Sequence, residues 1–264
     1  MSVPAASGAT VPAAFGTDHA EVYELTYRHR GKSWEDEARD VTAIVRAQHP
    51  DAASLLDVAC GTGAHLAEFA RHFDHTEGVE IAPAMRQRAL DRLPPGTAVH
   101  AGDMRTIRLG RHFDAVTCLF TSAAFLPTPA DLTAAIRRMA EHLVPGGVLV
   151  VEPWYFPENF LDGYLGGDLV RMPDRVVSRV SHSVRRADAT HLHVEWTVAD
   201  AAGIRRFTEF EVMSLFTREQ YLAAFDAAGC DAHYRPGWLT GRGLFVAVRR
   251  PGRLTTRRPG LERT

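Results

Sequence analysis

What this chain lacks narrows it first. Its 264 residues include three cysteines, Cys60, Cys118 and Cys230, and no two form a C-x-x-C pair. Neither a zinc set nor a disulfide framework follows from that usage; reduced, buried thiols in a cytoplasmic protein do. No apolar run is long enough to cross a bilayer. Residues 1–16 are rich in Ala, Pro and Ser but have neither the basic start nor the apolar centre of a secretory signal, and read as a flexible tail. No G-x-x-x-x-G-K-[ST] occurs, which excludes a Walker-type ATP site. With a net charge of −2 and no basic stripe before the last dozen residues, there is no field suited to a phosphate backbone, so nucleic acid is set aside as a partner.

What is present centres on Leu55-Leu56-Asp57-Val58-Ala59-Cys60-Gly61-Thr62-Gly63. A short apolar run ends in two glycines, and Leu66, Phe69 and Ala70 then recur like one face of a helix over 64–72. Strand, glycine turn and helix make a nucleotide entrance, because glycine permits positive φ and leaves room where a Cβ would block a ligand. Ahead of it, Tyr23 and Tyr27 share one face of a helix over 20–30, and Ala38, Val41, Ile44 and Val45 mark an amphipathic helix over 34–48. Behind it, apolar runs over 76–81, 98–101, 113–120 and 148–152 alternate with helical stretches. One helix opens at Pro83, and another, 131–143, is stopped by Pro145-Gly146-Gly147. That alternation predicts an α/β fold with a parallel sheet covered on both faces.

The pattern changes after 168. Three segments between 176 and 216 alternate with period two: Val176, Val180 and Val184 oppose Arg179, Ser181 and Ser183, and Leu192, Val194, Trp196 and Val198 oppose His193, Glu195 and Thr197. This predicts an antiparallel sheet inserted at about 168–216, a natural lid. A helix over 218–228 stops at Gly229, and runs at 231–234 and 243–248 are too close for a crossover, so they pair antiparallel and complete seven strands. The main domain is thus 17–250, and the polar 251–264 is a disordered tail.

Two nucleotides suit the glycine turn. A dinucleotide fingerprint wants a third glycine where Leu66 stands. S-adenosylmethionine wants a carboxylate for the ribose diol at the second strand's tip, which is Glu80. It also wants an adenine acceptor near the third, for which Asp103 and Met104 are placed, and an acid such as Asp57 near its ammonium. Glu80 alone also serves NAD. Asp57 also fits a turn cap and Asp103 a bond within its own loop. The three strand ends together with the antiparallel closing pair favour the methyl donor.

These residues resemble those of a class I S-adenosylmethionine-dependent methyltransferase, with a Rossmann-like, mostly parallel seven-stranded sheet. Val151-Glu152-Pro153-Trp154-Tyr155-Phe156-Pro157-Glu158, Ser178 to Arg185 and Thr240-Gly241-Arg242-Gly243 resemble, more narrowly, the nucleotide-sugar N,N-dimethyltransferases that finish desosamine and mycaminose for macrolide antibiotics. The resemblance spans about 18–249. It implies an N-methyltransferase acting on a nucleotide-linked (TDP) deoxy amino sugar, acting as a cytoplasmic homodimer and needing no metal or membrane. It implies a donor site of Tyr23, Asp57, Ala59, Gly61, Gly63, Glu80, Asp103 and Met104, and substrate contacts from Glu152 and Trp154. Three positions depart from the family pattern: Phe125 where His or Tyr is common, Tyr155 where a second Trp is, and Trp238-Leu239 before Gly241.

Methyl transfer from a sulfonium needs positioning more than covalent help. Tyr27, its hydroxyl accepting from the amine, and Phe125 are the candidate catalytic residues; Tyr23 or Phe125 offers a π-face to the sulfonium. Arg242, and Arg179 with Ser178 and Ser181, suit a diphosphate. His182 reads as a sheet residue. The competing classes are an O- or N-methyltransferase of another small metabolite, an NAD-linked oxidoreductase, and a non-catalytic donor-binding partner protein.

Overall fold

The computed structural model describes residues 15–251. The two tail readings, 1–16 and 251–264, lie outside the described residues except for Phe15, Gly16 and Pro251. Two helices lead in, α1 (Thr17–His29) and α2 (Trp34–Gln48). The Ser33 hydroxyl accepts the Asp36 amide at the start of α2, and three acids fill the first turn. A cap and a favourable charge at the positive end of the helix dipole explain why the helix starts there.

The chain then alternates: β1 (Ser54–Val58), α3 (Ala64–Phe69), β2 (His75–Glu80), α4 (Pro83–Arg92), β3 (Val99–Ala101), β4 (Phe113–Cys118), a 3-10 turn (Ser122–Phe125), α5 (Pro129–Glu141) and β5 (Leu143–Val151). Next come β6 (Tyr164–Arg171), β7 (Val176–Arg186), β8 (Ala189–Asp200) and β9 (Gly203–Ser214), then α6 (Arg218–Ala227), β10 (Cys230–Arg235) and β11 (Leu244–Arg249). The larger sheet has seven strands in the order β10-β11-β5-β4-β1-β2-β3. β1 to β5 are parallel, and β11 runs antiparallel to both β5 and β10. The chain moves outward from β1 to β3 and then returns to β4 on the other side of β1. Loops leaving β1 and β4 therefore diverge and open a crevice at the carboxyl ends, the usual place for a ligand in such sheets.

Packing explains the glycines beside that crevice. Gly63 has φ 74°, and a Cβ on it would stand 3.0 Å from the Ala89 Cβ on α4. A Cβ on Gly78 of β2 would stand 2.8 Å from Leu66 of α3. The close helix–strand approach that a dinucleotide fingerprint obtains from a third glycine on the helix is thus obtained here from a glycine on the strand, with Leu66 filling the space.

Two sequence expectations need correction. The helix predicted over 131–143 occupies Pro129–Glu141, and Pro145-Gly146-Gly147 lies inside β5 instead of separating helix from strand. A register irregularity against β4 between Phe113 and Ala115 accommodates it. The inserted sheet has four strands, not three, paired antiparallel in the order β6-β7-β8-β9, and it starts at Tyr164. β6 escapes period-two reading because Gly166 and Gly167 interrupt its alternation.

On β7 the faces are the reverse of a simple hydrophobic pattern. Arg179, Ser181 and Ser183 are buried and Val180 is exposed. The inner face of this sheet covers something polar. α1 bridges the two sheets: Glu24 pairs with Arg92 of α4 at 2.6 Å, while Glu21 takes Arg175 at 2.9 Å and Arg205 of β9 at 2.6 Å.

Candidate active site

Between the carboxyl ends of β1 and β4, α1 and the inner face of the antiparallel sheet lies a cavity of about 840 Å³. That is large for one ligand by ordinary pocket size. A recess of about 30 Å³, room for about one water, continues it toward Asp57 and His65.

One end of the cavity is the glycine turn. Ala59, Gly61, Glu80, Ile81, Met85 and Met104 line it. Gly61 has φ 58°, and a Cβ built on it meets nothing within 4 Å, so its backbone faces open space. Glu80 accepts the Gly61 amide at 2.8 Å and the Ala82 amide at 2.7 Å. Burial raises its carboxyl pKa, and those amides counter the shift. Asp57 borders the recess and accepts the Thr117 hydroxyl at 2.7 Å; burial pushes its carboxyl up to about 6. An open glycine backbone between two buried acids fits a ligand with a diol and an ammonium, as S-adenosylmethionine has. Two expected contacts sit differently. Gly63 is packed on Ala89 and does not line the cavity. Asp103 does not line it either: its oxygens are held by the Arg105 guanidinium at 2.6 Å and the Arg105 amide at 2.8 Å, and the same arginine reaches Asp131.

The middle is aromatic. Tyr23 and Tyr27 meet edge to face at 5.0 Å, and Phe120 closes on both, 4.7 Å from Tyr27 and 6.1 Å from Tyr23. Phe125 completes the wall, with Phe15 edge-on to it at 5.3 Å. Burial raises both phenols, so they stay protonated and keep their donors. Phe120 and Thr121 both have positive φ, 50° and 66°. Such backbone costs free energy in non-glycine residues and is held only by strong local bonds.

The far end is cationic. Arg30, Lys32, Arg179 and Arg242 all line the cavity, as do Ser181, Trp154 and Tyr155. The Arg242 side chain is 13% exposed, and its Nη2 stands 2.9 Å from Oε1 of fully buried Glu152. The other oxygen of Glu152 accepts the Phe120 amide at 2.6 Å. Glu152 thus stands behind the wall and positions what stands on it. Arg242 also lies over the Trp154 and Phe120 rings. Arg179 donates to the Ser181 hydroxyl at 3.0 Å, faces Asp168 at 3.7 Å and lies over Trp196. Ser178 is corrected: strand alternation turns it to the opposite face from Arg179 and Ser181, and it does not line the cavity.

Sequence reading missed Arg30, Lys32, Phe120 and Glu211. Lys32 sits 3.9 Å over the Phe120 ring and pairs with Glu37 at 2.5 Å; burial lowers its pKa. The Gly31-Lys32-Ser33 triplet has no P-loop glycine before it, so motif reading passes it by. Phe120 lies two residues past the end of β4 and Glu211 within β9, a strand of mixed polarity, and neither carries a local signal.

Residues 55–147 match a methyltransferase domain family. Over 235 residues the chain is 50% identical to a dTDP-3-amino-3,4,6-trideoxy-alpha-D-glucopyranose N,N-dimethyltransferase of Streptomyces venezuelae, covering 89% of this chain and 99% of that one. It is 46% identical to a dTDP-4-amino-2,3,4,6-tetradeoxy-D-glucose N,N-dimethyltransferase of Saccharopolyspora spinosa over 91% of this chain and 96% of that one. Among solved structures, it resembles the SAM-bound amino pentose methyltransferase of Micromonospora echinaspora involved in calicheamicin biosynthesis. The two share 61% identity with a TM-score of 0.81, over 86% of this chain and 96% of the other.

Proposed function

This chain belongs to the S-adenosylmethionine-dependent dTDP-amino-sugar N,N-dimethyltransferases, and we propose that it transfers methyl groups, twice in succession, to the amine of a dTDP-linked deoxy amino sugar on the way to an antibiotic. The observation that carries this reading is one continuous cavity with a glycine–carboxylate end, an aromatic middle and a cationic end. A methyl donor alone would leave the arginines without a task.

The roles follow from position. Glu80, Ala59, Gly61, Tyr23 and Met104 hold the donor, with Asp57 opposite its ammonium; Gly63 shapes the turn from behind. Bound there, S-adenosylmethionine supplies an activated methyl group on a cationic sulfur. Arg242, Arg179 and Ser181 receive the diphosphate, with the planar guanidinium forks matched to its oxygens. Trp154 gives the nucleotide an apolar face, and Glu152 fixes Arg242. Tyr27 and Phe125 bound the space left between the two ligands, where the Tyr27 hydroxyl orients the amine. Holding both reactants at contact distance supplies on the order of 7–11 kcal/mol in favourable cases, so no strong base is required for the transfer itself.

Titration calorimetry tests the two-ligand reading. S-adenosylhomocysteine and dTDP should bind together, one molecule of each, without competing; mutual exclusion contradicts it, and binding of reduced nicotinamide dinucleotide would favour oxidoreductase chemistry. The finer reading is a cytoplasmic homodimer. The buried free thiols of Cys60, Cys118 and Cys230 support the compartment. The outer face of the antiparallel sheet, where Leu165, Val180, Ile204, Phe210 and Val212 stand exposed, supports the dimer, and light scattering on eluted protein tests it.

A further inference from the structure

Among the described residues, four acids line the cavity: Asp36, Glu37, Glu80 and Glu211. Three are committed. Asp36 pairs with Arg39 at 2.5 Å, Glu37 with Lys32 at 2.5 Å and His65 at 2.8 Å, and Glu80 with the two amides of the glycine wall. Glu211, on β9, makes no hydrogen bond or ion pair among the described residues. It lines the same cavity as Tyr27 and Phe125 and is half-buried there.

Its neighbours are unusual. A ring nitrogen of His19 and the carboxylates of Glu209 and Glu211 lie within 4.8 Å of one another. Glu209 is committed, with its oxygens at 2.6 Å from His19 Nδ1 and 3.0 Å from the Trp196 indole nitrogen, which donates to it. The His19 ring is buried and lies 5.5 Å from the Tyr23 ring. Glu211 is therefore a free carboxylate at the edge of the aromatic wall, backed by a histidine and a second, occupied carboxylate. Phe125, on the same wall, cannot take a proton.

We propose that Glu211 receives the sugar amine as its ammonium and takes a proton from it before each methyl transfer. This rests on the amino-sugar reading above. The N–H bonding pair stays on nitrogen as the lone pair that attacks, and the proton passes to the Glu211 carboxylate. After the transfer the nitrogen is again cationic, as a methylammonium, and must lose a proton before a second methyl is added. Glu211 must itself be emptied between rounds, through the cavity to solvent or toward His19. A base that resets inside the site accounts for two transfers where proximity alone readily accounts for one.

The electrostatics agree. Burial pushes the Glu211 carboxyl up to about 7, His19 and Arg179 pull it down, and Glu209 pushes it up. Its charge in turn raises both Tyr23 and Tyr27, in keeping with the cavity lining that the three share. The other charges facing that wall are Glu80 and Glu24 toward Tyr23, and Arg179, Arg30 and Arg242 toward Tyr27. A base poised near the working pH is the efficient kind.

The test is Glu211→Gln and Glu211→Asp against wild type, with S-adenosylmethionine and dTDP-amino sugars and with each methylated product separated. Thermal unfolding and S-adenosylhomocysteine affinity serve as checks of folding. In Glu211→Gln, turnover near neutral pH should fall roughly a hundredfold, recover at alkaline pH where the amine is already neutral, and stall at the monomethyl product. Glu211→Asp should restore part of each. Without donor, the amino sugar should bind Glu211→Gln more weakly than wild type at neutral pH, while dTDP alone binds both equally. A loss of turnover by the same factor at every pH, or an unchanged profile and product ratio, overturns the assignment. If Glu211→Gln does not fold, Glu211→Asp decides: a wild-type pH profile and product ratio in that variant overturn it. If wild type itself methylates no dTDP-amino sugar, the underlying reading fails and this one with it. Wild-type dimethylation beside an unaffected variant defeats this one alone.

Discussion

Glu152 holds Arg242 at 2.9 Å with one carboxylate oxygen and the Phe120 amide at 2.6 Å with the other. One buried acid thus fixes both a cation at the far end of the cavity and the strained backbone that carries an aromatic ring of its middle wall. Arg242→Ala leaves that buried acid without its ion-pair partner, and breaking a buried pair this way costs about 3–5 kcal/mol. Its melting temperature should drop, and its KM for the nucleotide sugar should rise far more than its KM for the donor. Equal effects on the two would take Arg242 out of substrate binding. Arg242→Lys should fall between, since the point charge survives and the planar fork does not.

Asp57 gives a pH signature. Its folded pKa is about 6 against an ordinary 3.8, so the folded state favours the protonated acid. The stability this contributes is fully present below about 4 and is lost as pH rises through about 6, a loss of about 3 kcal/mol. Asp57→Asn keeps an acceptor for Thr117 and removes the ionisation. It should melt above wild type at neutral pH, match it in acid, and bind the donor more weakly. Chemical denaturation of the ligand-free protein across that range, with donor titrations, is the check; a variant less stable at neutral pH contradicts it.

Glu80 should separate the two ligands. Replacing it with Ala removes an acceptor from the Gly61 and Ala82 amides as well as the expected diol partner. Bonds to a charged group contribute about 1.5–3 kcal/mol each, so donor affinity should fall at least about tenfold. Affinity for dTDP should be unchanged; a parallel loss there would mean that the turn itself had collapsed.

Tyr27→Phe keeps the ring against Phe120 and deletes only the hydroxyl. Turnover should fall severalfold, with KM for the nucleotide sugar little changed. Single-turnover measurements isolate the step, and unaltered kinetics would remove the hydroxyl from orienting the amine.

Parallel sheet, antiparallel closing pair and glycine turn were legible because each rests on local pattern: apolar runs, glycine spacing and the short β10–β11 connection. Glu80, Gly61, Tyr23, Tyr27, Phe125 and Arg242, which all line the cavity, could be singled out from a strand end, the glycine turn, a shared helical face or segments resembling the family. Arg30 and Lys32 were not, since they follow α1 and reach the cavity only through its tertiary placement; Glu211 was not, since only the packing of the inner face of β9 over the cavity brings it there. Ser178 was misplaced because a cluster of Ser and Arg on a strand was read as a group, when alternation splits it between faces. β7 shows the general reason: its polar side is the buried one, so hydrophobic pattern alone cannot say which face looks inward.

The most direct measurement is mass spectrometry of dTDP-linked 3-amino and 4-amino deoxysugars after incubation with S-adenosylmethionine and the enzyme, with the corresponding hydroxy sugars alongside. The expected result is one and then two methyl increments on the amine of an amino sugar, and none on its hydroxy counterpart. Methylation of the hydroxy sugar, or no increment on any amino sugar while the donor binds, would contradict it.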